Sequence, residues 1–356
     1  MAKKLKSLVL SSAIAGSVKV EVGLGLALKL QSMGYRVKFF RPFGNIHAGK
    51  PDPEIAVLAK IFGMDKAKFC PNLLESTHFE TLKRSNINDM KAKLLATYKS
   101  VADSCDFVII EGNKSVCNLA AYELDDARLA LLFDNSPVLA VNTLESDDHI
   151  DDVVSQKEFL LQRKATYLGC VFNKIQESWM TRAQKEVIPY LKERGINSFG
   201  VIPRDERLTA PTLKEIVDNI DGRIVNGEAS SFNLDVLVSS ILVGAMSVNA
   251  ALSYFRRAGP NTLIITGGDR ADIILAALEV NAAGVVLTGN LEPDGFILSA
   301  AVEKGVPLIV VYEDTFTTAS KVESTVAELQ LGEQEVCKEL VETNCDVNLL
   351  MKLLSK

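Results

Sequence analysis

The sequence predicts an α/β protein made of a doubly wound parallel-sheet domain followed by a second, smaller α/β domain. Continuous apolar runs alternate along the chain with helical patterns. Runs that are apolar on both faces, with helices between them, indicate a parallel sheet that is covered on both sides. The length of 356 residues is itself typical of two domains of about 100–200 residues each. Right-handed crossovers between the strands then produce the doubly wound arrangement.

Composition limits the classes of function. A hydrophobic content of 47% is enough for full-sized cores. The formal net charge of -6, with no offsetting basic patch, argues against nucleic-acid and anionic-membrane partners. None of the six cysteines forms a C-x-x-C pair, which predicts reduced core thiols and a cytoplasmic protein. The three histidines are scattered without metal-ligand spacing, so no metal site is predicted from them.

The N-terminal stretch has two interpretations. The basic start MAKKLK, a short apolar run and Ala13-Ile14-Ala15 fit a secretory signal with its cleavage site. The alternative is a strand, a turn and a helix that carries Lys19. Cleavage after Ala15 would delete the first strand, and unpaired cysteines fit an oxidising compartment poorly. We therefore expect this segment to be part of the fold.

The elements of the first domain follow in order. Leu8–Leu10 is the first strand, and a helical pattern runs from about Val18 to Met33. A proline- and glycine-rich loop is predicted around residues 42–53, with helices from there to about Asp103. The remaining predicted strands are Arg36–Phe40, Asp106–Asn113, Ser136–Asn142, Tyr167–Asn173 and Ser198–Asp205.

A second strand and helix pattern begins near Arg223. Strands are predicted in NTLIITGGDR, AGVVLTGN and VPLIVVYED, and helices in ADIILAALEVN and ILSAAVEKG. TFTTASKVESTVAELQ is predicted as a helix with threonines as N-cap candidates. The expected organisation is a first domain over residues 1–222, a second over 223–330 and a helical tail over 331–356.

The stretch SSAIAGSVKV after the first strand has the position of a phosphate-binding loop. Such a loop needs glycines, a lysine for the phosphates and a hydroxyl directly after the lysine for Mg²⁺. Lys19 is present, but it lies between Val18 and Val20. Valine resists positive φ and has no oxygen for a metal, so we predict a degenerate loop. Its candidate phosphate-binding residues are Ser12, Gly16, Ser17 and Lys19.

Longer passages resemble a known family. GLGLALKLQSMGYRVKFFRPFG, DFVIIEGN and GVIPRDERLTAPTLKEI resemble the dethiobiotin-synthetase-like N-terminal region of long phosphate acetyltransferases. GAMSVNAALSYFRRAGPNTLIITGGDRADIILAAL and GVVLTGNLEP are similar to a DRTGG domain. The resemblance implies a P-loop-NTPase-like domain followed by a DRTGG domain. In those enzymes the catalytic domain would begin where this chain ends.

The resemblance also implies roles for individual residues. Lys19 would bind phosphate, Glu111 would position Mg²⁺ and Asn173 would read the adenine base. Asn173 at a strand end can pair with a base edge or simply cap the turn, and Glu111 can also be a solvated strand-end residue. Asp52, with Glu54, resembles an acidic loop that helps to hold Mg²⁺; both also fit surface turn positions beside prolines.

Two neighbouring strand ends in the DRTGG-like region form a candidate ligand or interface site, because α/β ligand sites lie at such ends. Its residues are Gly267, Gly268, Asp269, Arg270, Thr288 and Gly289. Backbone N–H groups and Arg270 would face an anion there. Alternatively, Asp269 caps the helix and Arg270 pairs with it or with another subunit. Asn290 stands where the family motif ends in glycine.

Three functions remain open from the sequence. The leading one is a non-catalytic regulatory or ligand-sensing protein that forms a homo-oligomer through its DRTGG domain, with a separate acetyl-phosphate or acyl-CoA enzyme as candidate partner. The second is an ATP-dependent ligase or amidotransferase-like enzyme that uses Lys19, Glu111 and Asp52. The third is a structural dimerisation scaffold. ATP or another nucleotide is the candidate cofactor, and the valines beside Lys19 count against Mg²⁺ and catalysis.

Overall fold

The computed structural model describes residues 7–14, 19–47, 50–75, 79–259, 261–325, 327 and 329–354. Four residues of the predicted phosphate-loop stretch lie outside these ranges, namely Ala15, Gly16, Ser17 and Val18, and Ala15 is also the last residue of the alternative cleavage site. The basic start, residues 1–6, lies outside them too.

The described residues form strands and helices in regular alternation. The strands are β1 (Ser7–Ser11), β2 (Val37–Phe40), β3 (Phe43–His47), β4 (Lys50–Pro51), β5 (Asn72–Glu75), β6 (Phe107–Glu111), β7 (Val138–Asn142), β8 (Tyr167–Ile175), β9 (Ser198–Pro203), β10 (Arg223–Ile224), β11 (Ser240–Val243), β12 (Thr262–Gly267), β13 (Gly284–Thr288) and β14 (Leu308–Val310). The helices are α1 (Lys19–Ser32), α2 (Pro53–Ile61), α3 (Lys66–Phe69), α4 (Phe79–Arg84), α5 (Ile87–Ala102), α6 (Asp126–Leu132), α7 (Asp148–Gln162), α8 (Glu177–Arg182), α9 (Ile188–Glu193), α10 (Glu206–Thr209), α11 (Leu213–Asn219), α12 (Val248–Ala258), α13 (Ala271–Glu279), α14 (Gly295–Lys304), α15 (Thr315–Glu323), α16 (Gln334–Asn344) and α17 (Val347–Leu354).

The chain divides into two compact units. The first unit combines Met1–Asp205 with the C-terminal segment Leu329–Lys356, and the second is Glu206–Glu328. Helix α11 and strand β10 therefore belong to the second unit, and α16 and α17 belong to the first.

The main sheet of the first unit has the strand order β2-β6-β1-β7-β8-β9. All neighbouring pairs are parallel, with Leu8 beside Ile109 and Leu139 beside Leu10. Every residue of β1, β6 and β7 is buried, as expected for strands with helices on both faces. The predicted doubly wound parallel sheet is confirmed for this unit.

The predicted loop around residues 42–53 is wrong in part, because a small sheet of order β4-β3-β5 lies there. Strand β3 pairs in parallel with β5, and Phe43 lies beside Asn72. Gly44 permits close packing, because a Cβ there would lie 2.6 Å from Ile55 Cδ1 and 2.8 Å from Cys70 Sγ. The partner strand lies far along the chain, so local proline and glycine signals did not reveal the pairing.

The second unit has a sheet of order β10-β14-β13-β12-β11. Strands β11 to β14 are parallel and β10 is antiparallel at the edge. The threonine N-cap predicted for α15 is wrong: Asp314 is the N-cap, and its carboxylate accepts from the backbone N–H groups of Phe316 and Thr317. A carboxylate at this position also interacts favourably with the positive end of the helix dipole.

Helix α16 packs along α1 in the first unit. An added Cβ at Gly25 would collide with the backbone carbonyl of Cys337 and lie 2.5 Å from Val341 Cγ2. The chain then makes an antiparallel bridge between Gly200 and Cys345 before α17 begins. Across the described residues, the helices are all too short or too polar to cross a bilayer.

Candidate functional site

The candidate site of the first unit lies at the edge where its parallel strands end. Ser12 follows β1, Arg41 follows β2, Glu111 ends β6 and Asn142 ends β7. Asn173 lies near the end of β8. Carboxyl ends of parallel strands meet at one edge of a sheet, where ligands of α/β proteins bind. Three of the residues singled out in the sequence, Ser12, Glu111 and Asn173, therefore share this edge.

Lys19 is the first residue of α1 and is only 3% exposed. Its Nζ donates a hydrogen bond to Ser12 Oγ at 3.3 Å, and Ser12 Oγ donates to the carbonyl of Val141 at 2.8 Å. Burial lowers the pKa of Lys19, and the charges of Glu111 and Asp126 oppose that effect. The lysine is thus held close to the carboxylates of this edge.

Asp126 is a buried residue of this edge that was missed in the sequence. Its carboxylate accepts from Ser11 Oγ at 2.6 Å and from the backbone N–H of Asn113 at 2.7 Å. Burial raises the pKa of Asp126 to about 7, while these hydrogen bonds oppose the rise. In the sequence it reads as one of two acidic residues at a helix start, and Asp125 is indeed the N-cap of α6.

A chain of side-chain amides supports the same edge. Gln156 Nε2 donates to Ser11 Oγ at 3.2 Å, and Asn142 Nδ2 donates to Gln156 Oε1 at 2.8 Å. Asn142 Oδ1 then accepts from the backbone N–H of Ala13 at 2.8 Å, which ties the start of the phosphate-loop segment to β7. Buried polar groups that are satisfied in this way hold their positions rigidly.

Arg41 makes the central contacts with the predicted Mg²⁺ residues. Its Nε donates to Glu111 Oε2 at 2.6 Å, Nη1 to Asp52 Oδ2 at 2.8 Å and Nη2 to Glu54 Oε2 at 2.8 Å. The Arg41 side chain is 4% exposed, against 11% for Glu111 and 17% for Asp52. Glu111 is therefore not a solvated strand-end residue, and Asp52 and Glu54 are not plain surface turn residues.

Arg41, Asp52, Glu54 and Glu111 as arranged do not fit a bound Mg²⁺ ion, because each of the three carboxylates already binds a guanidinium nitrogen. Burial alone would lower the pKa of Arg41, but the three carboxylates together raise it, so the charge persists. Within the described ranges, no group of three or more His, Cys, Asp or Glu side chains is arranged to hold a metal ion. Arg41 directly follows an apolar strand, and its three partners were already candidates from the sequence, but their contact with Arg41 was missed.

Asn173 is engaged by the chain itself. Its Nδ2 donates to Glu21 Oε2 at 3.0 Å, and Lys174 Nζ forms an ion pair with Glu21 Oε1 at 2.8 Å. Burial raises the pKa of Glu21, and Lys174 and Asn173 oppose the rise. The space beside these groups is about 10 Å³, room for about one water molecule, and Cys337 and Val341 of α16 line it.

The strand ends of the second unit approach each other closely. An added Cβ at Gly268 would collide with the backbone carbonyl of Leu291, so glycine is required there. Thr288 Oγ1 lies 2.9 Å from Thr315 Oγ1. Gly289 and Asn290 both have positive φ, at 80° and 55°. Asn290 can replace a glycine there because asparagine tolerates the left-handed region better than most residues.

Arg270 has partners within its own chain. Its guanidinium donates to both carboxylate oxygens of Asp272, at 2.9 and 3.0 Å, and to the carbonyl of Met246 at 3.0 Å. Arg270 is also the N-cap position of α13 and makes no side-chain capping bond. Asp269 is therefore not the N-cap, and the intrachain partner of Arg270 is Asp272, a residue that the sequence argument did not consider.

Exposed aromatic side chains surround the same edge of the second unit. Phe296 is 71% exposed, Tyr312 is 85% exposed and Phe316 is 82% exposed. Phe296 and Phe316 lie in the first turns of α14 and α15, and Tyr312 follows β14. We call these three residues the aromatic rim.

Comparisons with known proteins agree with this architecture. A family model described as "AAA domain" matches residues 8–212, and one described as "DRTGG domain" matches residues 215–325. The phosphate acetyltransferase of Synechocystis sp. is 28% identical over 335 residues, which cover 89% of this chain and 47% of that protein. The phosphate acetyltransferase of Nitrosomonas europaea is 25% identical over 334 residues, which cover 88% of this chain and 46% of that protein. The chain spans about half the length of these curated relatives.

One solved structure with a similar part is the CBS and DRTGG domains of the regulatory region of Clostridium perfringens pyrophosphatase, complexed with the activator diadenosine tetraphosphate. It is 16% identical, with a TM-score of 0.27, and covers 39% of this chain and 68% of that chain. The two family matches confirm the predicted order of a P-loop-type region followed by a DRTGG domain. The chain therefore belongs to the AAA domain family and carries a DRTGG domain after its AAA domain.

Proposed function

We propose that the chain is a non-catalytic regulatory or ligand-sensing protein related to the N-terminal region of phosphate acetyltransferases. The observation that carries the proposal is the engagement of Asn173, the residue expected to read adenine, by Glu21. A nucleobase that pairs with the Asn173 amide would have to displace Glu21 from its Nδ2. ATP bound in the manner of an active enzyme would have to displace these contacts.

The sequence around Lys19 supports the same proposal. A working phosphate loop places a hydroxyl directly after its lysine to hold Mg²⁺. Here the next residue is Val20, which is 3% exposed and has no oxygen on its side chain. A degenerate loop of this kind retains the scaffold of nucleotide binding without the metal-dependent chemistry.

We test the proposal by calorimetric titration with ATP, once in MgCl₂ and once in EDTA, together with an ATP hydrolysis assay. The expected result is no Mg²⁺-dependent ATP binding and no hydrolysis above the protein-free rate. Lys19→Ala is the diagnostic variant, and Lys60→Ala, an exposed lysine at the end of α2, is the matched control. Mg²⁺-dependent binding that Lys19→Ala abolishes and Lys60→Ala preserves, accompanied by turnover, contradicts the proposal.

The ATP-dependent ligase alternative has one observation in its favour. Lys19 is buried, and its Nζ is held by Ser12 at the sheet edge, where a phosphate would be bound. The hydrolysis assay and the Lys19→Ala variant separate this alternative from the regulatory proposal.

We place the sensing role in the DRTGG domain, at the strand ends around Gly268 and Thr288. ATP binding that persists in Lys19→Ala but weakens in Arg270→Ala would support a nucleotide site there. The Arg270–Asp272 ion pair favours the scaffold alternative, because the guanidinium already has a carboxylate partner. We also propose a cytoplasmic homo-oligomer that acts on a separate acetyl-phosphate or acyl-CoA enzyme.

A further inference from the structure

Arg41 and its three carboxylates form a compact buried cluster at the sheet edge, which we call the Arg41 cluster: Arg41, Asp52, Glu54 and Glu111. Each nitrogen of the guanidinium contacts a different carboxylate, at 2.6 to 2.8 Å. The carboxylates come from two places, β6 and the start of α2. A planar guanidinium is suited to such a set because its N–H groups point outward in fixed directions.

The backbone positions this cluster firmly. Strands β2 and β6 are parallel neighbours with Phe40 beside Ile110, so Arg41 and Glu111 follow at adjacent strand ends. Asp52 is the N-cap of α2: its Oδ1 accepts from the backbone N–H of Glu54, while its Oδ2 accepts from Arg41. Both oxygens of Asp52 are therefore committed within the chain.

A divalent cation needs these same oxygens. Mg²⁺ requires oxygen ligands at about 2.0–2.1 Å in near-octahedral geometry and is usually bound by one or two carboxylates. A guanidinium between the carboxylates occupies that position and repels a second cation at close range. The guanidinium and a divalent cation therefore cannot both lie at the centre of the cluster.

We propose that the Arg41 guanidinium takes the place of a divalent cation in this protein. As arranged around the guanidinium, Asp52, Glu54 and Glu111 are not placed to hold a metal ion. Only the removal of Arg41 would leave their side chains free to move together around a cation. A phosphate ligand at this edge would then be bound without a metal, with Arg41 as the fixed positive charge and Lys19 beside it. This inference concerns the metal alone and does not depend on whether the protein is regulatory.

The test is a Mn²⁺ titration followed by electron paramagnetic resonance, in which free Mn²⁺ gives the signal and bound Mn²⁺ loses it. We expect the wild type and Glu111→Gln to bind Mn²⁺ equally weakly. Arg41→Ala is expected to gain one Mn²⁺ site, which the added substitution Glu111→Gln weakens by about 10–100-fold. Arg36→Ala, which removes an exposed arginine paired with Asp106, controls for the loss of one positive charge and gains no site.

A wild-type Mn²⁺ site that Glu111→Gln abolishes would overturn the proposal, and this measurement does not require any Arg41 variant to fold. A folded Arg41→Ala protein that gains no site would overturn it as well. Thermal unfolding adds a second readout. Mg²⁺ should raise the unfolding temperature of Arg41→Ala, because the bound cation neutralises the repulsion among the three carboxylates. It should leave the unfolding temperature of the wild type unchanged. An unchanged unfolding temperature in Arg41→Ala would count against the proposal.

Discussion

Asp126 shows at the residue scale how this protein places charge in its interior. The carboxylate is fully buried, and its hydrogen-bond donors are Ser11 and Asn113. Lys19 lies near enough to favour the charged form, but burial dominates and raises the pKa of Asp126 to about 7. Its protonation state therefore changes close to neutral pH, unlike that of an ordinary aspartate.

We predict that Asp126 makes the protein less stable as the pH rises from 3.8, its usual pKa, to about 7. In this window the native state keeps a proton that the unfolded chain has released, so the free energy of unfolding falls with pH. The contribution is fully favourable below the unfolded pKa and is lost as the pH passes the folded pKa. The expected slope is at most ~1.4 kcal/mol for each pH unit.

Urea denaturation at several pH values checks this prediction on the wild type and on Asp126→Asn, in which the slope due to Asp126 disappears. Asp218→Asn, which changes an exposed aspartate in α11, should keep the wild-type slope. If Asp126→Asn also keeps the wild-type slope, Asp126 does not titrate between pH 3.8 and about 7.

At the scale of elements, the contact between α1 and α16 brings the C-terminal segment against the candidate site. Glu21 and Val22 of α1 and Cys337 and Val341 of α16 line the small space beside Asn173. Helix α1 also begins with Lys19, so one helix carries both the phosphate-loop lysine and the partner of Asn173. The packing of α16 is therefore coupled to the surroundings of Asn173.

We predict that Gly25→Ala destabilises the protein by about 1–3 kcal/mol, because the added methyl group collides with the Cys337 carbonyl and forces the helices apart. The sign of the change in unfolding free energy is diagnostic, because alanine in an unobstructed helix is favoured over glycine by about 1 kcal/mol. Gly295→Ala, at the start of α14 with nothing within 4 Å of the new methyl group, is the matched control and should be neutral or stabilising.

The measurement for this pair is the free energy of unfolding from urea titrations of the two variants and the wild type. A Gly25→Ala protein that gains stability like the control would show that α1 and α16 do not pack closely in solution.

At the scale of the whole molecule, the two units differ at their candidate sites. The first unit buries Arg41 and its three carboxylates, whereas the second exposes the aromatic rim at its sheet edge. Large exposed apolar patches are typical of surfaces that bind another protein. The proposed homo-oligomer through the DRTGG domain would cover this rim.

We predict that the wild-type protein has a multiple of the single-chain mass, and that Tyr312→Ser combined with Phe316→Ser reduces it to one chain. The expected cause is the loss of apolar area that association would bury. Light scattering after size-exclusion chromatography measures the mass. Phe79→Ser, which removes an exposed aromatic residue from the first unit, should leave the assembly unchanged. A monomeric wild type at high concentration, or an unchanged double variant, would contradict the interface.

Much of the fold could be predicted from the sequence because its signals are local. Apolar runs such as Phe107–Glu111 and Val138–Asn142 are buried on both faces, and that property is visible in consecutive residues. The position of Glu111 at the sheet edge follows from the same pattern, because it is the last residue of a recognisable strand. The pairing of β3 with β5 was missed because it joins short segments that are distant in sequence.

Only the tertiary structure decided which side chains meet. Arg41 and Glu111 are 70 residues apart, and they meet because β2 pairs with β6. Asn173 and Glu21 are 152 residues apart, and they meet because α1 packs beside the end of β8. The sequence by itself determined the element types, the two-part α/β architecture and the candidate residues, since these depend on local periodicity. Strand order and helix packing decided the partners of those residues, because they arise from burial between distant segments that no local pattern records.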